Sequence, residues 1–278
     1  MDVTARSKLK LQIIANSQSG VPLSRALRRD GRATLATALQ KISPHSPFPF
    51  FSKSIQTITV ITTDLPSIRE QRRLPSPTVT PQALAWHSNI VWMGSRDLRR
   101  VYGIDPKTWK IVHETEAPGI PWAAVSTGDT LRFTIGEGEE DDRYIHTFDP
   151  AKGFGGSRIA CPELTGSYLS FDGTHLYLSQ WYKGRILKLD ETGNILRVIE
   201  VGEEICGHTF VDGMIYVLRG AENPTEIWRI ARIDPREETP QVHDLARVPI
   251  ACRSLMFDGT NFWTNYRAGN ETIAFALP

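Results

Sequence analysis

FDGTHLYLSQWYKGRILKLDETGNILRVIEV, residues 171–201, reads as a tight Asp-Gly turn followed by three short strands separated by polar breaks. Leu, Tyr, Ile and Val cluster in short runs, and Gly, Asp and Asn fall between them, which is the composition of β-strands joined by hairpin turns. With the apolar run before the turn, the strands are Tyr168–Phe171, His175–Gln180, Arg185–Leu189 and Ile195–Val201. Four such strands in roughly 40–50 residues make one blade of a β-propeller.

The same phrase recurs on both sides. Its first turn falls at Ser88 in WHSN, Gly128 in STGD, Gly173 in FDGT, Gly213 in VDGM and Gly259 in FDGT, in steps of 40, 45, 40 and 46 residues. A second landmark, the Asp that ends each third strand, keeps the same phase at Asp105, Asp149, Asp190 and Asp234. Five units are counted, but the last stops after three strands, at Thr272–Leu277. The missing strand stands upstream, where Ile68–Leu74 precedes the first unit as Ile111–Ala117 precedes the second. The reading is an all-β, five-bladed propeller of four-stranded antiparallel blades over residues 57–278, closed by an N-terminal strand that removes the exposed sheet edges.

Residues 1–56 differ in kind. They contain no Glu, and residues 1–65 carry nine Lys or Arg against three Asp, a net +6 that leaves −5 on the remainder of a chain whose total is +1. A disordered basic tail is expected there, with a modest apolar stripe at Leu23–Leu39 and a transit-peptide-like composition as the alternative. The acidic remainder argues against a nucleic-acid surface. No run has the length and flanks of a spanning helix or a secretory signal, so no membrane partner is expected. Cys161, Cys206 and Cys252 show no CxxC spacing and are read as small buried thiols, which with the missing export signal favours the cytoplasm. The chain is expected to act as a monomer.

PQALAWHSNIVW, DGTHLYLSQWYKGRILKLDETGNI and FDGTNFWTNYRAGNETIAFAL resemble blades of the propeller superfamily that includes virginiamycin B lyase, the YncE-type proteins and the plant-type glutamine cyclotransferases. The resemblance runs from Ile68 to Pro278. Five blades with N-terminal closure are most similar to the cyclotransferases, which cyclise N-terminal glutamine to pyroglutamate at the channel mouth. That family opens its first inner strand with Thr-Gln-Gly-Leu, and Pro81-Gln82-Ala83-Leu84 retains the Gln. Its two ring Glu positions read Trp122 and Gly207 here, and its Asn position reads Arg253, so the resemblance does not carry over a proton shuttle.

Counting six residues back from each first turn puts Gln82, Trp122, Ser167, Gly207 and Arg253 at the channel mouth. These are poor ligands for a hard cation, and a guanidinium beside them would repel one, so neither a metal nor another cofactor is expected. His208 lies one step inside Gly207 and is the histidine placed to exchange protons; Glu137 and Glu139, on a loop opening to the same face, are the carboxylate candidates. Arg96, Trp181, Arg219 and Tyr266 come from equivalent loops, and with Gln82, Trp122, Ser167 and Arg253 they make a basic, aromatic mouth suited to a small-molecule or peptide ligand carrying negative charge. Two classes of function stay open. One is a metal-independent lyase- or cyclotransferase-like enzyme; the other is a non-catalytic propeller binding a ligand or protein on that face.

Overall fold

The computed structural model describes residues 65–278, and these build five antiparallel four-stranded blades. Blade 1 holds β2 (Pro81–His87), β3 (Ile90–Ser95), β4 (Arg100–Asp105) and β5 (Lys110–Glu116). Blade 2 holds β6 (Ile120–Thr127), β7 (Thr130–Glu137), β8 (Asp142–Asp149) and β9 (Gly153–Ala160). Blade 3 holds β10 (Leu169–Phe171), β11 (Leu176–Gln180), β12 (Arg185–Leu189) and β13 (Ile195–Glu200). Blade 4 holds β14 (Glu204–Val211), β15 (Met214–Ala221), β16 (Ile227–Ile233) and β17 (His243–Val248). Blade 5 holds β18 (Cys252–Phe257), β19 (Phe262–Tyr266) and β20 (Glu271–Ala276), and is completed by β1 (Arg69–Pro75). The inner strands β2, β6, β10, β14 and β18 each touch the next, and β18 touches β2, so the ring is closed. The basic tail expected over residues 1–56, its apolar stripe included, lies outside the described residues.

The phased landmarks have a physical reason. Ser88, Gly128, Gly173, Gly213 and Gly259 all adopt positive φ, between 50° and 96°, which a tight hairpin demands and which Gly meets without strain. Each third-strand Asp folds its carboxylate over the next turn. Asp105 Oδ1 accepts from the Lys107 amide at 2.7 Å, and Asp149, Asp190 and Asp234 do the same for Ala151, Thr192 and Arg236. In blades 3 and 5 the first turn adds a further clamp, since Tyr177 Oη donates to Asp172 and Trp263 Nε1 to Asp258. His87 occupies that Asp position in blade 1, and the corresponding Trp92 has a buried indole N–H without an acceptor among the described residues.

Closure is a ladder plus side-chain locks. β1 pairs along β20 from Arg69 opposite Ala276 to Pro75 opposite Glu271. Ahead of it, the Ile68 amide donates to the Arg247 carbonyl at 3.0 Å, which ties the incoming chain to blade 4. Trp109 stacks on Trp263 at 5.8 Å and donates its Nε1–H to the Pro75 carbonyl at 2.8 Å. The core lies between blades, where Trp92, Phe133, Phe148, Trp228 and Phe275 are fully buried. Among the described residues two single 3-10 turns interrupt the strands, Pro162–Leu164 and Trp181–Lys183, and the second of them carries an aromatic to the mouth. Among the described residues no helix is long and apolar enough to cross a membrane.

A chain beginning at Leu65 is expected to unfold in one cooperative transition. One beginning at Ser76 lacks β1, exposes the β20 edge, and should aggregate or melt lower by about 10 °C or more, at about 2–4 °C per kcal/mol for a domain of this size. Equal melting of the two would contradict closure by β1.

Candidate functional site

The mouth is shaped by irregularity at the inner-strand entrances. The register between inner and second strand slips at Pro81/Leu84 in blade 1, Pro121/Ala123 in blade 2, Ile205/Gly207 in blade 4 and Arg253/Met256 in blade 5. A bulge bends the strand and re-aims side chains. Here the bulges deliver Gln82, Trp122 and Arg253 to one cavity of about 240 Å³, with Ser167 and Tyr168 supplied by the loop before β10. Gly207 gives no side chain because none fits: a Cβ there would lie 2.5 Å from the carbonyl carbon of Ser254 on β18. The remaining walls come from loops and neighbouring strands, as Arg96, Arg143, Trp181, Tyr182, Glu222 and Arg267.

Four guanidiniums surround this space, in two states. Arg143 donates to Asp141 Oδ2 at 2.6 Å and to the Gly166 carbonyl at 2.9 Å, and its guanidinium lies 4.1 Å from the centre of the Trp122 ring, whose Nε1–H bonds Asp141. Arg253 bridges blades, giving Nη1 to Glu226 at 2.6 Å and to its own neighbour Cys252, and Nη2 to Glu222 at 2.5 Å. Its side chain is 7 % exposed. Burial opposes its charge, yet the Glu226 hydrogen bond and nearby groups more than offset this, so its pKa is raised further above the ordinary arginine range.

Arg96 and Arg267 are different. Arg96 rests over Trp122 at 5.4 Å, and Arg267 donates one hydrogen bond, to Gln82 Oε1 at 2.7 Å. Among the described residues neither has a carboxylate within ion-pair distance. Burial, and then the like charges of Arg253 and Arg96, lower the pKa of Arg267 from its usual value. Gln82 is the hub between these groups, since its Nε2 donates to the Trp122 carbonyl at 3.3 Å and to Tyr168 Oη at 3.2 Å. The Tyr168 hydroxyl therefore accepts a bond, while its own proton has no acceptor among the described residues. Burial pushes its pKa up, so the phenol stays protonated and can donate.

Of the residues expected from sequence, Gln82, Arg96, Trp122, Ser167, Trp181 and Arg253 line this one cavity. The others do not. His208 is buried away from it as a clasp between blades 3 and 4: its Nε2 meets the Tyr168 carbonyl at 3.1 Å and its Nδ1 the Ser170 hydroxyl at 2.7 Å. Desolvation lowers its pKa to about 4, so it is neutral, donating from Nε2 and accepting at Nδ1. Both nitrogens are committed, which leaves no geometry for proton exchange with a ligand. Glu137 is held within blade 2 by His146 at 2.6 Å and by Arg158, and Glu139 is exposed at the loop tip. Arg219 is spent on a bidentate bond to Asp244 at 2.8 and 2.9 Å. Tyr266 packs beneath its own turn, where a Cβ on Gly269 would lie 2.3 Å from its ring. Among the residues not singled out, Glu222 follows β15, on the kind of second-to-third-strand loop that already pointed to Arg96 and Trp181. Arg143 begins a third strand, which no count of inner-strand entrances reaches.

No family model matches the chain, and no curated protein sequence matches it. Solved structures do. The Myxococcus xanthus glutaminyl cyclase superposes with a TM-score of 0.60 at 12% identity, covering 76% of this chain and 96% of that one. A PQQ-bound aldose sugar dehydrogenase from Streptomyces coelicolor gives a TM-score of 0.49 at 14% identity, covering 75% and 97%. At such identity the likeness is one of fold.

The His208 clasp makes acid sensitivity measurable. Its pKa falls from 6.5 to about 4 on folding, so its stabilisation is complete above about pH 6.5 and is lost as pH falls through about 4, a loss of about 3 kcal/mol. The melting temperature of the native chain should therefore approach that of His208→Gln as the pH is lowered through this window. A gap between the two that stays constant from pH 7 to 4 would contradict the assignment.

Proposed function

We propose that this propeller binds a small anionic ligand at its channel mouth, with Arg96 and Arg267 as the groups that hold it. The observation that carries the reading is that two half-buried guanidiniums face one cavity with no carboxylate partner among the described residues. Partly desolvated charge is costly until it is paired, and an anion between these residues supplies the missing partner. The Tyr168 hydroxyl donates a third hydrogen bond, and Trp122 and Trp181 provide apolar walls with polar edges. Arg253 takes a supporting part, because its bonds to Glu222 and Glu226 fix the wall against which the anion rests.

Calorimetric titration with benzoate and with inorganic phosphate tests this. Charge-assisted hydrogen bonds worth about 1.5–3 kcal/mol imply that Arg267→Gln and Arg96→Gln each weaken anion binding about 10- to 100-fold. Affinities unchanged in both variants would place the site elsewhere.

One observation favours a second reading, in which the mouth also moves protons in the manner suggested by the glutaminyl cyclase fold. Glu222 brings a carboxylate to the mouth from a loop, where the inner strands supply none. That carboxylate is engaged by Arg253 at 2.5 Å and serves as an ion-pair partner in the wall. Peptides with N-terminal Gln should accordingly form pyroglutamate at the spontaneous rate in the presence of the protein; turnover well above that rate would establish the second reading.

A further inference from the structure

The seam between blades 4 and 5 holds two thiols in contact. Cys206 Sγ and Cys252 Sγ are 3.3 Å apart, and both side chains are fully buried. The backbone builds this approach. Cys206 is the extra residue of the bulge between Ile205 and Gly207, not paired in the ladder with β15, and a bulge re-aims the side chain it carries. One residue further along, a Cβ on Gly207 would lie 2.5 Å from the Ser254 carbonyl carbon, so the two inner strands already touch.

The repeat sets this pair apart. Both cysteines stand seven residues before the first turn of their blade, and the same place is Pro81 in blade 1, Pro121 in blade 2 and Gly166 in blade 3. The prolines restrict the unfolded chain at that place. A covalent bond between Cys206 and Cys252, 46 residues apart, restricts it over a whole blade.

Other uses of the pair fit less well. Among the described residues no three His, Cys, Asp or Glu side chains form a group suited to a metal ion. Burial, and then the hydrogen bond with Cys252, push the Cys206 thiol well above its ordinary value, which keeps it protonated and a poor nucleophile in the folded ring.

We propose that Cys206 and Cys252 close into a disulfide that staples blade 4 to blade 5 beneath the mouth. Arg253 follows Cys252 and donates Nη1 to its carbonyl at 2.7 Å, so the staple holds the wall that Arg253 forms. The oxidant is a small disulfide such as oxidised glutathione. One cysteine, as thiolate, attacks a glutathione sulfur and releases one glutathione thiol; the second cysteine then displaces the other glutathione from the mixed disulfide. The two protons and two electrons lost by the pair leave on the two glutathione thiols. Neither sulfur is exposed in the finished ring, so the exchange takes place as the chain folds.

The test is cell-free synthesis of the full chain in a buffer of reduced and oxidised glutathione, and in parallel with dithiothreitol. Soluble product is denatured, alkylated with iodoacetamide and mapped by mass spectrometry. Of the three cysteines, only Cys161 is expected to take the label in the glutathione product, with the peptides of Cys206 and Cys252 joined, whereas all three take it in the dithiothreitol product. The oxidised chain should melt higher than the reduced one by at least about 5 °C, and Cys206→Ala/Cys252→Ala should melt alike from both buffers. Three labels in the glutathione product, or a bond that includes Cys161, overturns the pairing. A joined pair that leaves the melting temperature unchanged, or a shift that persists in the double variant, overturns the staple.

Discussion

Backbone contact between neighbouring inner strands governs this molecule. At the seam between blades 4 and 5 the strands approach so closely that Gly207 cannot carry a Cβ against Ser254. Such proximity gathers the five strand entrances at one end of the axis. It also forces the strands to slip register there, and the resulting bulges turn Gln82, Trp122 and Arg253 inward. Packing of the ring and construction of the mouth are thus one event. Closure by β1 completes the blade that carries Arg253 and Arg267, so the site depends on a strand far from it in sequence.

Electrostatics then divides the mouth into a fixed part and a receptive part. Arg253 and Arg143 have carboxylates of their own, and losing a partner from such a buried pair costs more than the pair itself contributes. They define the walls. Arg96 and Arg267 carry the unmatched charge, steadied among the described residues by a cation–π contact and by Gln82. Gln82 touches Arg267, Tyr168 and the Trp122 backbone at once, which ties Arg267 to the wall of the mouth.

The fold was legible because its punctuation is backbone chemistry. Positive φ at Gly128, Gly173, Gly213 and Gly259, and turn-capping carboxylates at Asp105, Asp149, Asp190 and Asp234, leave residues that can be counted. The mouth was legible only where it follows that count. Gln82, Trp122, Ser167 and Arg253 are inner-strand entrances, and Arg96 and Trp181 sit on predictable loops. Arg143 lies on a third strand, which has no signal in the repeat; Glu222 stands on a second-to-third-strand loop like that of Arg96, but its pairing with Arg253 is visible only in the structure. His208 misled for a different reason. Its position in the strand said that it approached the channel, but not that Ser170 and the Tyr168 carbonyl, brought from another blade, would take both ring nitrogens. Cys206 and Cys252, 3.3 Å apart across the seam between blades 4 and 5, show the complementary case: equivalent positions in adjacent units became neighbours in space.

What the chain shares with the glutaminyl cyclase is a frame, and the frame leaves the chemistry at its mouth to a handful of side chains. Here they include Arg96 and Arg267, two guanidiniums without a carboxylate partner among the described residues, on which the proposed anion site rests. Anomalous diffraction from a crystal soaked in bromide tests that claim most directly. The account predicts a bromide peak in the mouth within hydrogen-bonding reach of both Arg96 and Arg267. Bromide ordered elsewhere on the propeller, with the mouth holding none, would contradict it.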